Sequence, residues 1–281
     1  MQIIRKISKI KSKLNELKLD GKIIGFVPTM GYLHEGHLSL IKEIKNKVDI
    51  VVVSIFVNPK QFGINEDLSS YPRDIERDSK LAESEGADFL FYPTEEEMYP
   101  KGYQTSVILT ELTSGLCGLK RPGHFKGVTT VVLKLFNIIK PDYAIFGLKD
   151  AQQVRVIEKM VEDLNLDIKV LRSEIVREKD GLAKSSRNKY LTEEERKNSL
   201  ILRKSLLYAK KLIEEKEEFD MIIKKVNRYI EASCGSIKID YFEIVNFKTL
   251  IKAEKKDSEI LLALAVYIGH TRLIDNLLLN K

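Results

Sequence analysis

Two histidines three residues apart are the first feature of this sequence that could do chemistry. His34 and His37 lie in the stretch FVPTMGYLHEGHLSLIK, residues 26–42, and the 281-residue chain has only four histidines. The stretch passes from an apolar run into an amphipathic segment, which predicts a strand, a tight turn and a helix. The free N–H groups at the start of such a helix favour an anion, and imidazoles can donate hydrogen bonds to phosphate oxygens.

The glycines of this turn complete neither of the common phosphate-binding motifs. Gly31 and Gly36 have P-loop spacing, but His37 and Leu38 stand where that motif has Lys and then Ser or Thr. No G-x-G-x-x-G follows the first predicted strand. Two alternatives to a phosphate site stay open. One is a metal site, for which the chain offers few further ligands, and the other is a pair of capping or packing histidines.

The elements that must position this turn alternate along the first 175 residues. Four apolar runs are predicted as strands, over 22–28, 49–57, 87–93 and 142–147, and the more polar run 166–172 is a fifth candidate. Four helical segments separate or follow them, over 37–47, 72–86, 127–140 and 150–164. This alternation predicts an α/β fold with a Rossmann-like parallel sheet and helices on both faces, whose ligands bind at the carboxyl ends of the strands.

The pattern changes after about residue 175. Two charged amphipathic helices are predicted over 192–216 and 217–233, and residues 236–246 alternate like a strand. The apolar stretch 258–279 is predicted as strand and turn, with a helix as the alternative. We therefore predict a Rossmann-like domain over 1–175 and a smaller C-terminal α+β domain over 176–281.

Composition limits the function classes. The chain is 43% hydrophobic and 31% charged with a net charge of +6, which would suit nucleic acid or small anionic substrates. Lysine and glutamate alternate along most basic stretches, as on solvated helix faces, so we expect no nucleic-acid partner. Cys117 and Cys234 form no disulfide framework, which indicates a reducing, cytoplasmic location. We see no signal peptide and no apolar run long enough to span a membrane.

Six blocks of sequence carry a family resemblance. PTMGYLHEGHLSLI resembles the HIGH-type signature of the nucleotidyltransferase superfamily, and more narrowly that of the pantothenate synthetase family. The other blocks follow in the family's order, and they are VSIFVNPKQFG, YPRDIERD, RPGHFKGVTTVVLKLFNIIKPD, FGLKDAQQ and DGLAKSSRNKYL. They span roughly residues 28–191, whereas the C-terminal third matches more loosely, best in HTRLIDN.

The resemblance implies an activity and a set of substrates. ATP adenylates pantoate at the α-phosphate, pyrophosphate leaves, and β-alanine then displaces AMP to give pantothenate. It also implies Mg²⁺ accompanying ATP, with ligands that the sequence does not identify, no organic prosthetic group, and a homodimer. The C-terminal domain is expected to act as a lid that excludes water from the adenylate.

Site residues follow from the same resemblance. The implied ATP-binding residues are Met30, Gly31, Tyr32, Leu33, His34, Glu35, Gly36, His37, Gly147, Leu148, Lys149, Asp150, Val176, Lys184, Ser185, Ser186 and Arg187. The implied catalytic residues are His34, His37, Lys149 and Arg187. Gln61 and Gln153 are expected to hold pantoate, and Gln61 also β-alanine. Family members mostly have methionine in place of Lys184, which could contact a phosphate or point to solvent.

Four further residues are less determined. Asp74 and Asp78 could help to hold Mg²⁺, but a solvated helix face accounts for them equally well. Arg121 could reach the pocket, while we expect His124 to order its turn. Two other function classes stay open. One is a nucleotidyltransferase that leaves the nucleotide on its product, and the other is a nucleic-acid-binding module.

Overall fold

The computed structural model describes residues 1–63, 66–233 and 237–280. Cys234 lies outside the described residues. So does Ser236, the first residue of one predicted strand. The chain divides into two compact units, which are described separately. The first comprises Met1–Glu111, Arg121–Leu148 and Val156–Glu174, and the second comprises Leu112–Lys120, Lys149–Arg155 and Ile175–Lys281.

A parallel sheet forms the centre of the first unit. Its strands are β1 (Gln2–Ile4), β2 (Ile24–Thr29), β3 (Ile50–Ile55), β4 (Phe89–Phe91), β5 (Tyr143–Gly147) and β6 (Lys169–Ser173). They are ordered β1-β4-β3-β2-β5-β6 and every pair is parallel. The predicted Rossmann-like parallel sheet is confirmed. The five predicted strands correspond to β2–β6, whereas β1 was not predicted because the first 18 residues have helical spacing.

The strand order places the ligand edge of this sheet. From β2 the chain moves outward through β3 and β4, and it then returns to the other side of β2 with β5. The switch point of the topology therefore lies between β2 and β5, and ligands of such sheets bind beyond the carboxyl ends of the strands at that point. The histidine turn follows β2 directly, so it lies at this edge.

Ten helices occur among the described residues. They are α1 (Ile7–Leu19), α2 (Glu35–Lys45), α3 (Ile75–Ser84), α4 (Glu95–Met98), α5 (Leu116–Lys120), α6 (His124–Ile139), α7 (Ala151–Asp163), α8 (Glu193–Asn198), α9 (Ile201–Glu214) and α10 (Phe219–Ser233). In the first unit, α2 packs its buried face against β2 and β3, with Ile41 and Ile44 fully buried beside Val27 and Val53. Burial of this apolar surface fixes the direction in which α2 leaves the turn.

The second unit is built on an antiparallel sheet. Its strands are β7 (Ile237–Asn246), β8 (Glu259–Ile268) and β9 (Thr271–Asn280), and they pair in that order. The sheet and helices α9 and α10 share an apolar core that includes Ile222, Val226 and Leu262. The strand prediction for 258–279 is confirmed and the helix alternative is wrong. The single helix predicted over 192–216 is two helices, because the chain breaks at Ser199, whose hydroxyl donates to the Arg196 carbonyl at 2.7 Å.

Candidate active site

The turn after β2 is held in a conformation that few residues adopt. Gly31 has φ +87° and Tyr32 has φ +51°, both in the left-handed region. A Cβ on Gly31 would lie 2.9 Å from Ile55 Cγ2, so glycine is needed for space as well as for its φ. Thr29 accepts from the Gly31 amide at 3.1 Å and donates to the Ser54 carbonyl at 2.8 Å, which ties the turn to β3.

The two histidines cap α2 reciprocally. His34 Nδ1 accepts from the Gly36 amide at 3.1 Å, and His37 Nδ1 accepts from the His34 amide at 3.3 Å. Their ring centroids are 4.1 Å apart. Since a neutral imidazole has one donor and one acceptor nitrogen, accepting at Nδ1 places the proton of each ring on Nε2. The two histidines therefore do cap the helix, as one alternative predicted, and they do so with Nδ1. The same contacts leave Nε2–H of each ring as a hydrogen-bond donor, which is the group that phosphate recognition requires.

A buried carboxylate holds the middle of the turn. Asp78 in α3 is 1% exposed, and it accepts from the amides of Tyr32 at 2.5 Å and Leu33 at 2.8 Å. Arg77 donates to Asp78 at 3.2 Å and to the Leu33 carbonyl at 2.8 Å. Burial raises the pKa of the Asp78 carboxyl, while the two amides and Arg77 act to lower it. The solvated-face interpretation of Asp78 is therefore wrong, because the carboxylate replaces water as the partner of the turn's backbone.

Gln61 is buried in a network of amides after β3. Its Nε2 donates to the sulfur of Met30 at 3.1 Å, and its Oε1 accepts from Asn58 at 3.0 Å. Asn58 also donates to the Gly127 carbonyl at 3.1 Å and accepts from the Tyr99 hydroxyl at 2.8 Å. Gln61 is thereby oriented beside the first residue of the histidine turn, which suits a group that must read a small polar acid.

Gly127 allows α6 to approach the turn that carries Gln61. A Cβ on Gly127 would lie 2.2 Å from the Lys60 carbonyl oxygen and 2.5 Å from Gln61 Cα. His124 adds a hydrogen bond from its Nδ1 to the Gln61 carbonyl at 2.9 Å, so it ties the start of α6 to the Gln61 turn rather than ordering only its own turn. Sequence reasoning missed Gly127 and Tyr99, and the only signal was a glycine inside an apolar helical pattern.

Arg121 lies just before α6 and its guanidinium group is ion-paired. It forms a bidentate ion pair with Glu66, at 2.7 Å from Nε and 2.5 Å from Nη2, and it lies 3.1 Å from His124 Nε2. Burial acts to raise the pKa of Glu66, and the hydrogen bonds and charge of Arg121 outweigh it, so that the pKa is lowered. Arg121 is therefore held in an ion pair with Glu66.

The FGLKDAQQ block forms a strand end, a turn and a helix start. β5 ends at Gly147, residues Leu148–Asp150 form a 3₁₀ turn, and α7 begins at Ala151. Within α7 the two glutamines differ. Gln152 is buried and bonded to the Cys117 amide at 2.9 Å and the Gly115 carbonyl at 3.0 Å, whereas Gln153 is half-buried. Gln152 is thus structural, and the pantoate role expected of Gln153 stays a prediction.

The AKSSRN block follows a short hairpin in the second unit. The Lys184 amide donates to the Val176 carbonyl at 3.0 Å, and Arg177 forms a bridge with Ala183. Ser185 caps the 3₁₀ turn Ser186–Tyr190 by accepting from the Arg187 amide at 3.3 Å. Lys184 Nζ lies 2.8 Å from Glu178 Oε2 and its side chain is 20% exposed, so Lys184 is ion-paired rather than directed into solvent.

Two kinds of feature are absent from residues 1–63, 66–233 and 237–280. No helix there is long and apolar enough to cross a membrane. No group of three His, Cys, Asp or Glu side chains there is arranged to hold a metal ion.

A parallel α/β sheet with a loop at its topological switch point, here the histidine-capped turn, is typical of nucleotide-binding proteins. The family model for pantoate–β-alanine ligase matches residues 2–278. The pantothenate synthetase of Thermoanaerobacter pseudethanolicus is 56% identical over 281 residues, covering 99% of this chain and 98% of the relative. The chain therefore belongs to the pantoate–β-alanine ligase family.

Solved structures agree with this assignment. The pantothenate synthetase of Thermus thermophilus superposes with a TM-score of 0.93 at 40% identity and covers 99% of both chains. The pantoate–β-alanine ligase of Francisella tularensis, complexed with beta-gamma ATP and beta-alanine, gives a TM-score of 0.80 at 36% identity over 99% of this chain and 97% of that one.

Proposed function

We propose that the protein joins (R)-pantoate to β-alanine at the expense of ATP, giving pantothenate, AMP and pyrophosphate. The family match over residues 2–278 carries this proposal. A free carboxylate is a poor acyl donor because its leaving group would be an oxide. A pantoate carboxylate oxygen attacks the α-phosphorus and pyrophosphate leaves. The β-alanine amine then attacks the acyl carbon, loses a proton, and releases AMP.

The histidine turn supplies donors for the first step. In-line displacement at phosphorus needs positioned donors for the developing charge and little covalent help from the protein. Nε2–H of His34 and of His37 is the donor that the reciprocal cap presets. We assign these two donors to the triphosphate, together with the backbone of residues 30–37.

Other residues take roles that suit their chemistry. Gln61 can donate to a carboxylate and accept from a hydroxyl, and we assign it to pantoate and β-alanine, with Gln153 also on pantoate. Lys149 and Arg187 supply positive charge for the phosphates, and Ser185 and Ser186 supply hydroxyl groups. The remaining ATP contacts that we assign are Gly147, Leu148, Asp150, Val176 and Lys184.

The wider properties belong to the same proposal. Mg²⁺ enters with ATP as part of the substrate, held by phosphate oxygens and water. We propose no organic prosthetic group, because ATP itself supplies the leaving group that adenylation and acyl transfer need. We also propose a cytoplasmic homodimer with no nucleic-acid partner, and the division into a substrate-binding domain over 1–175 and a lid over 176–281 stays a prediction.

Product analysis tests the reaction. Purified protein is mixed with Mg²⁺, ATP and pantoate, pyrophosphate is followed, and β-alanine is then added. We expect at most one pyrophosphate per active site before β-alanine and continuous turnover afterwards, with equal amounts of AMP and pantothenate. Continuous pyrophosphate release that ignores β-alanine, with the nucleotide retained on the product, would instead identify the transferase alternative.

A further inference from the structure

Two adjacent polar residues are buried in strand β9 of the second unit. Asp275 and Asn276 are 2% and 5% exposed, and they belong to the HTRLIDN block, to which the reaction itself assigns no role. A buried carboxylate is costly unless it is paired and hydrogen-bonded. The partners of these two side chains therefore indicate what the pair does.

Asp275 fastens the hairpin that precedes AKSSRN. Arg177 makes a bidentate ion pair with it, at 2.7 Å from Nη1 and 2.9 Å from Nη2, and also donates to the Gly181 carbonyl at 3.0 Å. The backbone N–H of Asn276 donates to the same carboxylate at 2.8 Å. Arg177 lies next to Val176 in the hairpin, so the ion pair fixes Val176. The hydrogen bond from the Lys184 amide to the Val176 carbonyl then fixes the start of AKSSRN, residues 183–188, which we call the serine loop.

The side chain of Asn276 holds the turn at Lys149, the other segment of this unit that we assign to ATP. Its Nδ2 donates to the Lys149 carbonyl at 2.9 Å. Successive side chains of a strand point to opposite faces, so two neighbours can reach two different segments. Asp275 and Asn276 thus tie residues 176–184 and the turn at Lys149 to neighbouring positions of strand β9.

We propose that Asp275 and Asn276 are positioning residues of the ATP site, which set the spacing between the Lys149 turn and the serine loop without touching the nucleotide. This inference rests on the proposed function for its kinetic consequence, but its structural part does not. Catalytic groups misplaced by about 1 Å can lose 10²-fold in rate, so a shared anchor of this kind should be visible in ATP kinetics.

Three variants test the proposal. Asn276→Ala removes one hydrogen bond from the Lys149 carbonyl, and Asp275→Asn removes the charge that holds Arg177. Val226→Ala, in the apolar core of the same unit, is the control for general loss of stability. Asn276→Ala keeps the test decisive if Asp275→Asn does not fold.

The measurements are Michaelis constants, calorimetric binding of a non-hydrolysable ATP analogue, and amide hydrogen exchange. We expect Asn276→Ala and Asp275→Asn to weaken analogue binding and raise the ATP KM roughly tenfold, with the β-alanine KM unchanged. Exchange should quicken over 147–150 in the first variant and over 176–188 in the second. Val226→Ala should leave the analogue binding and both KM values as in the parent protein.

The outcomes separate this inference from the proposed function. Parent protein that makes no pantothenate overturns the proposed function, while analogue binding and exchange still test the anchor. If the parent is active and both anchor variants match Val226→Ala in analogue binding, ATP KM and exchange, the anchor proposal is wrong.

Discussion

At the residue scale, each histidine of the turn has two separable tasks. Nδ1 caps α2, and Nε2–H is assigned to phosphate. An asparagine side chain can imitate Nδ1 of an imidazole, and a glutamine side chain can imitate Nε2. An asparagine in place of a histidine therefore keeps the capping task of Nδ1, and a glutamine keeps the donor task of Nε2.

His37→Gln should retain more adenylation activity than His37→Asn, although His37→Asn should unfold at the higher temperature. Loss of one donor to developing charge costs about 10²–10³-fold in rate, so we expect a loss of that size in His37→Asn with the pantoate KM nearly unchanged. Single-turnover pyrophosphate release and thermal unfolding measure the two effects. Equal rates in the two variants would contradict the assignment of Nε2.

Asp78 holds the backbone of the turn through the amides of Tyr32 and Leu33. In Asp78→Asn, one amide N–H of the turn would face the new NH₂ group and lose its acceptor, at a cost of about 1–3 kcal/mol in stability. We expect a higher ATP KM and a slower adenylation step as Tyr32 and Leu33 shift.

Asp88→Asn is the matched control for this change. Asp88 accepts from the Val51 amide at 2.8 Å, at the amino end of β3 and thus away from the ligand edge. It should lose stability without a change in the ATP KM. Asp78→Asn with the kinetics of Asp88→Asn would show that the turn does not depend on the carboxylate.

At the scale of elements, the contact between α6 and the Gln61 turn is tight enough to test with one methyl group. In Gly127→Ala the added Cβ would overlap the Lys60 carbonyl, so helix and turn must separate. Overpacking of this kind costs about 1–3 kcal/mol. We expect the pantoate KM to rise at least about tenfold, measured by steady-state kinetics, since Gln61 loses its orientation.

Gly115→Ala provides the comparison, because a Cβ there meets no atom within 4 Å. It should leave the pantoate KM unchanged. A Gly127→Ala protein with the parent pantoate KM would mean that Gln61 does not position this substrate.

Local pattern was enough to predict the elements that carry the site, but not their mutual contacts. Strands β2–β5 and the histidine turn have strong local signals, β6 has a weaker and more polar one, and the resemblance named Gln61 and the serine loop. The burial of Asp78 depends on amides 45 and 46 residues earlier, and the Gly127 contact depends on residues more than 60 positions away. β1 has only three residues and is recognisable only from its pairing with β4.

At the scale of the whole molecule, the Glu66–Arg121 ion pair links stability to pH. The pKa of Glu66 is lowered in the folded protein, so its contribution is present above the unfolded carboxyl pKa, and is lost as pH falls through the lowered folded value. Urea unfolding should show Glu66→Gln less stable than the parent at pH 7, with the gap closing toward pH 3. A gap that is constant with pH would rule out the ion pair as its cause.

The central claim for the molecule is that an acid is activated at the α-phosphorus of ATP. The most direct measurement uses pantoate labelled with ¹⁸O in both carboxylate oxygens, with Mg²⁺, ATP and β-alanine, and mass spectrometry of the nucleotide product. The account predicts AMP that carries one ¹⁸O atom, since the oxygen bridging acyl carbon and phosphorus leaves with AMP. Unlabelled AMP, or label found in inorganic phosphate beside ADP, would contradict it.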